Sequence, residues 1–177
     1  MTTSSTAGSG DRVRSLVGTI ALVLFAAALA SCAASESTSG GALPAPKLVD
    51  LRTGKASGWE QEGRPLVVNL WASWCTPCKT EMPAIEKVAA KLGDKVDIVG
   101  VTDQKDLDAA RRAATMAGVR YRLLVDTDQS LLSDLGIVGL PGTVFVDADG
   151  KVIGRHTGVL TEETLLKEIK KRYGIAP

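Results

Sequence analysis

The chain has 177 residues, enough for one compact domain and an appendage. Its 21 basic and 20 acidic side chains leave a formal net charge of +1, and aromatic residues make up 4%. That composition offers no positive surface for nucleic acid, which excludes DNA or RNA binding as the reading to pursue.

The N-terminus is the first informative segment. Arg12 and Arg14 precede an uncharged apolar run from Leu16 to Ala30. A positive flank, a short apolar core and small residues at its end are the pattern of a secretory signal. A membrane-spanning helix needs about 20 apolar residues, so an uncleaved anchor is the weaker alternative. The run ends in Leu29-Ala30-Ser31-Cys32, which resembles a bacterial lipobox. That resemblance implies cleavage before Cys32 and diacylglycerol on its sulfur, two acyl chains being enough for stable anchoring. The alternative is an ordinary signal followed by a stray cysteine. Residues 1–31 are thus expected to form the signal, and 32–46 a flexible tether rich in small polar residues. The folded domain is expected over 47–177.

The predicted elements of that domain follow in chain order. Lys47–Leu51 is a short first strand, closed by a turn at Thr53-Gly54-Lys55. Pro65–Trp71 is a continuous apolar run broken only by Asn69, as suits a strand buried on both faces. A helix is expected from about Cys75 to Leu92. Cys78, Glu81, Met82, Ile85, Val88, Ala89 and Leu92 recur on one of its faces, and Gly93 stops it. Val96–Val101 is a strand, Asp106–Ala117 a helix and Arg122–Val125 a strand. Asp128 is placed to cap a short helix holding Leu131, Leu132 and Leu135. Thr143–Asp147 and Lys151–Arg155 are strands joined across Asp149-Gly150, a hairpin signal. Thr161 caps a last helix with Glu162 and Glu163 in its first turn and Lys170, Lys171 and Arg172 in its last, matching the helix dipole. Strands alternating with helices and closed by a hairpin imply an α/β fold, a mixed sheet flanked by helices.

Cys75 and Cys78 form the one chemically loaded motif. A zinc site wants about four ligands. Beyond this pair the chain offers only Cys32 and the single histidine, His156, so no metal site is expected. A purely structural disulfide over so short a loop would stabilise little. The pair instead falls where a strand gives way to a helix. Unpaired N–H groups and the positive end of the helix dipole favour a thiolate there. Cys75 is therefore expected as a nucleophile of lowered pKa, and Cys78, one turn deeper, as the thiol that resolves its mixed disulfide. No other cofactor is expected.

The segment from Asn69 through Trp74-Cys75-Thr76-Pro77-Cys78 to Pro83 resembles the active-site segment of the thioredoxin superfamily. It is most similar to the TlpA/ResA-like extracytoplasmic branch. A second matching segment, Gly139-Leu140-Pro141-Gly142 through Gly150, lies in the same order. The resemblance covers about Lys47 to Tyr173 and implies a thioredoxin-like fold with a short N-terminal extension strand. It implies a cis peptide at Pro141, with Leu140, Trp74, Thr76 and Pro77 forming the substrate-facing rim. It implies a functional glutamate at Glu81, whose place on the inward face predicts a raised pKa and proton exchange with Cys78. Ordinary thioredoxins carry a buried aspartate where this chain has Asn69, which cannot titrate. Trp71 reads as core, Trp59 as packing and His156 as an ordinary strand residue.

The function expected is thiol–disulfide exchange with proteins outside the cytoplasm. The favoured direction is disulfide reduction, as in cytochrome c maturation or the reduction of metal-site cysteines. The electrons would come from a membrane-embedded donor. The location expected is the outer face of a bacterial cell membrane. The alternatives are a disulfide-forming oxidase and a non-enzymatic metal chaperone.

Overall fold

The computed structural model describes residues 1–2 and 40–177. The expected signal segment, the lipidation candidate Cys32 and most of the expected tether lie outside the described residues. The chain divides into the units Met1–Ser37 and Thr38–Pro177, and the secondary structure described belongs to the second.

Seven strands make one sheet: β1 (Leu48–Asp50), β2 (Ala56–Ser57), β3 (Leu66–Leu70), β4 (Asp97–Thr102), β5 (Arg122–Asp126), β6 (Gly142–Val146) and β7 (Val152–Thr157). Their order across the sheet is β2-β1-β5-β4-β3-β6-β7. Strands β3, β4 and β5 are parallel, while β1 on one side and β6 and β7 on the other are antiparallel to their neighbours. Four helices connect or follow them: α1 (Thr76–Leu92), α2 (Leu107–Met116), α3 (Leu131–Asp134) and α4 (Glu162–Tyr173). This is a thioredoxin-like fold.

The apolar run around Asn69 becomes the central strand because both of its faces are covered. All five residues of β3 are buried. Val67 and Trp71 join the core beneath Met82, Ile85, Val88 and Leu92 of α1, the alanines of α2, and Leu165 and Ile169 of α4. Leu66, Val68 and Leu70 point to the other face, against Val99, Val101, Leu124, Leu131, Leu135 and Val144. Period-two alternation therefore sends Asn69 to the α1 side, which decides what it meets.

The boundaries agree with the expectations to within two residues for most elements, and three points differ. First, α3 is not capped by Asp128. Asp126, buried at the end of β5, accepts from the Leu131 N–H through Oδ2 (2.8 Å) and from the Asp128 N–H through Oδ1 (3.1 Å). Asp128 instead pairs with Lys47 at the surface. Second, β2 was not expected. It exists because Asp50 Oδ1 accepts from the N–H groups of Arg52 and Thr53 and from the Thr53 hydroxyl, folding the chain back on β1. Third, ordered pairing begins ahead of Lys47. Ala42 bridges to Lys151, the Leu43 N–H donates to the Gly150 carbonyl, and the Val152 N–H donates to the Gly41 carbonyl. Trp59, expected only to pack, donates its ring N–H to the Pro44 carbonyl at 2.7 Å. The end of the expected tether is thus part of the sheet's outer edge. Its small residues allow close approach there: a Cβ on Gly40 would lie 1.4 Å from the Val152 carbonyl oxygen.

Candidate active site

The loop from Trp71 to Cys75 carries the chain from the end of β3 into α1. The Trp71 N–H still donates to Val101, and the Cys75 N–H turns back to the Ala72 carbonyl. Cys75 has extended backbone angles and is the N-cap of α1, and its Sγ accepts from the Cys78 N–H at 3.2 Å. Thr76 and Pro77 fill the first helical turn, where a missing N–H costs no helical bond. Cys75 and Cys78 are joined as a disulfide with Cα atoms 5.3 Å apart. Both are buried, Cys78 completely and Cys75 to 4% exposure.

The residues expected at the rim divide by exposure. Trp74 is 71% exposed, and Thr76 and Pro77 are exposed beside it. Leu140 is half-buried and Pro141 buried, and the Leu140–Pro141 peptide is cis. The register brings the two motifs together. Gly142, next to Pro141, is the partner of Leu70, next to Trp71, so both approach the same end of the sheet.

Glu81 lies one turn below Cys78 on the inward face of α1 and is 1% exposed. Its Oε1 accepts from the Asn69 side-chain amide at 2.6 Å, and its Oε2 accepts from the Leu160 N–H at 2.9 Å. Burial pushes its pKa up to about 7, against the lowering effect of those two donors. The Asn69 carbonyl oxygen is buried without a partner among the described residues. Burial, with the charge of the same carboxylate adding to it, holds the Tyr121 hydroxyl well above the usual phenol range.

Two partners of the site carry no sequence signal. Leu160 contributes only its backbone N–H, from the loop between β7 and α4, so its identity is uninformative. Gln104, just past β4, clamps the loop before Cys75. Its Oε1 accepts from the Ser73 N–H at 2.6 Å and its Nε2 donates to the Ser73 hydroxyl at 3.0 Å. A lone glutamine far along the chain has no motif that would reveal this. His156 pairs across the sheet with Thr143, and Trp71 is core, 1% exposed.

The Redoxin family profile matches residues 38–171. The chain belongs to the Redoxin family. Among its relatives, the thiol-disulfide oxidoreductase ResA of Bacillus anthracis is 30% identical over 131 residues, 72% of this chain and 75% of the relative. The thiol:disulfide interchange protein DsbE of Pseudomonas fluorescens biotype C is 35% identical over 112 residues, 63% of this chain and 61% of the relative. Among solved structures, MTB dsbF in its mixed oxidized and reduced forms superposes with a TM-score of 0.63 at 27% identity, covering 73% of this chain and 94% of that one. The thioredoxin domain of a thiol-disulfide oxidoreductase from Bacteroides vulgatus gives 0.67 at 23% identity, over 75% and 96%, which speaks for the fold alone. This Redoxin protein is a thiol–disulfide oxidoreductase of the ResA/DsbE type, with Cys75-Thr76-Pro77-Cys78 as its Cys-x-x-Cys pair.

Proposed function

We propose that the protein reduces disulfides of other proteins on the outer face of a bacterial membrane, to which lipid on Cys32 ties it. The observation that carries the mechanism is Glu81, a buried carboxyl one turn below Cys78 with a pKa of about 7. In the reduced protein, the Cys75 thiolate attacks one sulfur of a substrate disulfide. The substrate S–S bond breaks, one substrate sulfur leaves as thiolate, and a mixed disulfide forms on Cys75. Cys78 then loses its proton to Glu81 and attacks the Cys75 sulfur, expelling the second substrate sulfur. Two electrons pass to the substrate, whose sulfurs take up protons, and the Cys75–Cys78 disulfide remains. No further cofactor takes part, because the Cys75/Cys78 dithiol itself carries the electron pair. A membrane-embedded thiol donor restores the dithiol by the reverse exchange.

Trp74, Thr76 and Pro77 are the exposed contact surface for the substrate, and Leu140 and Pro141 form its opposite wall. The exposed Trp74 supports this reading, since so large an apolar side chain beside a buried sulfur has no use in the fold. The substrates proposed are apocytochrome thiols oxidised before haem attachment, or cysteines of a respiratory metal site. Equilibration of the Cys75–Cys78 pair with glutathione decides the direction. A potential near that of thioredoxin, about −270 mV, is expected; one near −120 mV would make the protein an oxidase.

A further inference from the structure

Next to the dithiol, a groove of about 510 Å3 runs between α1 and α2, lined by Ser73, Lys79, Pro83, Arg112, Ala113 and Met116. The sequence accounts for it. The α2 side of the groove is built of small residues, Ala109 and Ala113 on the helix and Ala117 just past its end, whose side chains leave room beside α1. Across the groove, Pro83 has no N–H to give the Lys79 carbonyl, so that wall keeps a backbone acceptor without its helical partner. Ser73, two positions before Cys75, is among the residues that line the groove.

Its charge is one-sided. Lys79 and Arg112 are both exposed, and no acidic side chain lines the groove. The neighbouring cations are engaged, Arg111 with Asp108 and Arg120 with Glu86. Lys79 and Arg112 form no ion pair among the described residues. Met116 leaves its apolar side chain 89% exposed at the same place. Two unpaired cations over an apolar floor complement a segment that is acidic and apolar at once.

We propose that this groove seats an acidic, leucine- or valine-bearing segment of the protein that exchanges disulfides with this chain, so that partners are chosen partly by charge. The inference rests on thiol–disulfide exchange and not on its direction. The test uses the reduced full-length protein and two peptide disulfides identical around the cysteine. One is flanked by Glu and Leu, the other by Lys and Leu, and hydroxyethyl disulfide serves as a neutral substrate. At low salt the acidic peptide should react about tenfold faster than the basic one. That ratio should fall towards unity in about 1 M salt, where the screening length is about 3 Å. Arg112→Glu, on the helix that carries no cysteine, should abolish or invert the ratio. Met116→Ser should slow the acidic peptide with leucines more than one with serines in their place. Equal rates for the two peptides at low salt would overturn the proposal, as would a ratio unchanged in Arg112→Glu. Arg112-dependent binding to phosphatidylglycerol vesicles without a peptide preference would assign the groove to a membrane surface instead. Failure of the wild type to reduce hydroxyethyl disulfide would remove the exchange activity itself, a result distinct from loss of peptide preference alone.

Discussion

A carboxyl group buried to 1% exposure and held by two donors is pulled in opposite directions. Burial favours its neutral form, and the Asn69 amide and Leu160 N–H favour its charged form, with burial the larger effect. Asn69 suits either state. With its amide nitrogen towards Glu81 it donates to a carboxylate; turned over, its now unpartnered carbonyl oxygen would accept from a protonated carboxyl. The same turn accommodates the amide of a Glu81→Gln variant, so that substitution removes the proton without tearing the site. The wild-type rate of disulfide exchange should show a step near pH 7. Glu81→Gln should lose the step and run roughly 100-fold slower, the low end for a lost proton-transfer group. Stability carries the same signature in the oxidised protein. The folded carboxyl titrates near 7 and the unfolded one near 4.5, so the folded state holds an extra proton between those values. Stability should therefore fall as pH rises through that window, by on the order of 3 kcal/mol, and urea unfolding of Glu81→Gln should be flat across it. The inward position of Glu81 was legible from its three-residue spacing to Cys78. Its second donor was not, because Leu160 acts through a backbone group brought close only by the fold. Gln104 was missed for a related reason, its partner Ser73 lying far away in sequence.

At the scale of elements, periodicity found the long pieces and local turn chemistry misled over the short ones. The apolar stripe of α1 and the continuous run of β3 announce themselves because each extends over several turns or pairs. Helix α4 was legible at both ends: Thr161 accepts from the Thr164 N–H, and Gly174 closes the helix in the left-handed conformation. Strand β2, two residues long, has no period to read. Helix α3 shows the limit of capping rules. Asp128 stands at a plausible spacing, but the cap comes from Asp126, five residues before Leu131 and fixed by the end of β5. The two aspartates therefore predict opposite outcomes. Asp126→Ala leaves the buried Leu131 N–H and the partly buried Asp128 N–H without their acceptor and should cost about 2 kcal/mol in urea denaturation. Asp128→Ala removes only a surface contact to Lys47 and should cost less than about 1 kcal/mol. Equal losses would mean that α3 is held by its leucines alone.

On the scale of the whole molecule, the sheet has two ends with different duties. Where β3 and β6 pair Leu70 with Gly142, the chain leads on one side to Cys75 and on the other to cis-Pro141. Where they pair Leu66 with Val146, it leads to the turn at Asp147–Lys151, and there Gly41–Leu43 joins the edge. The glycines at positions 40 and 41 carry two opposite meanings in a sequence: loss of order, or close approach of backbones. The hydrophobic pattern could not choose between them, because the contact is made by backbone groups of β7 and its turn. The contact predicts a separation of stability from chemistry. A chain beginning at Lys47 loses the bridge to Lys151, the acceptor of the Trp59 ring N–H and the cover over the β7 edge. Compared with a chain beginning at Thr38, it should be less stable by about 2 kcal/mol, a few net hydrogen bonds' worth. Its rate of exchange with hydroxyethyl disulfide should be the same, because the lost contacts lie at the end of the sheet away from Cys75. Gly40→Val in the longer chain should reproduce much of the loss, since the Val152 backbone leaves no room for a side chain there. A truncated chain as stable as the longer one would return residues 40–46 to the role of simple tether. A change in its exchange rate would mean that the two ends of the sheet are coupled through β3 and β6.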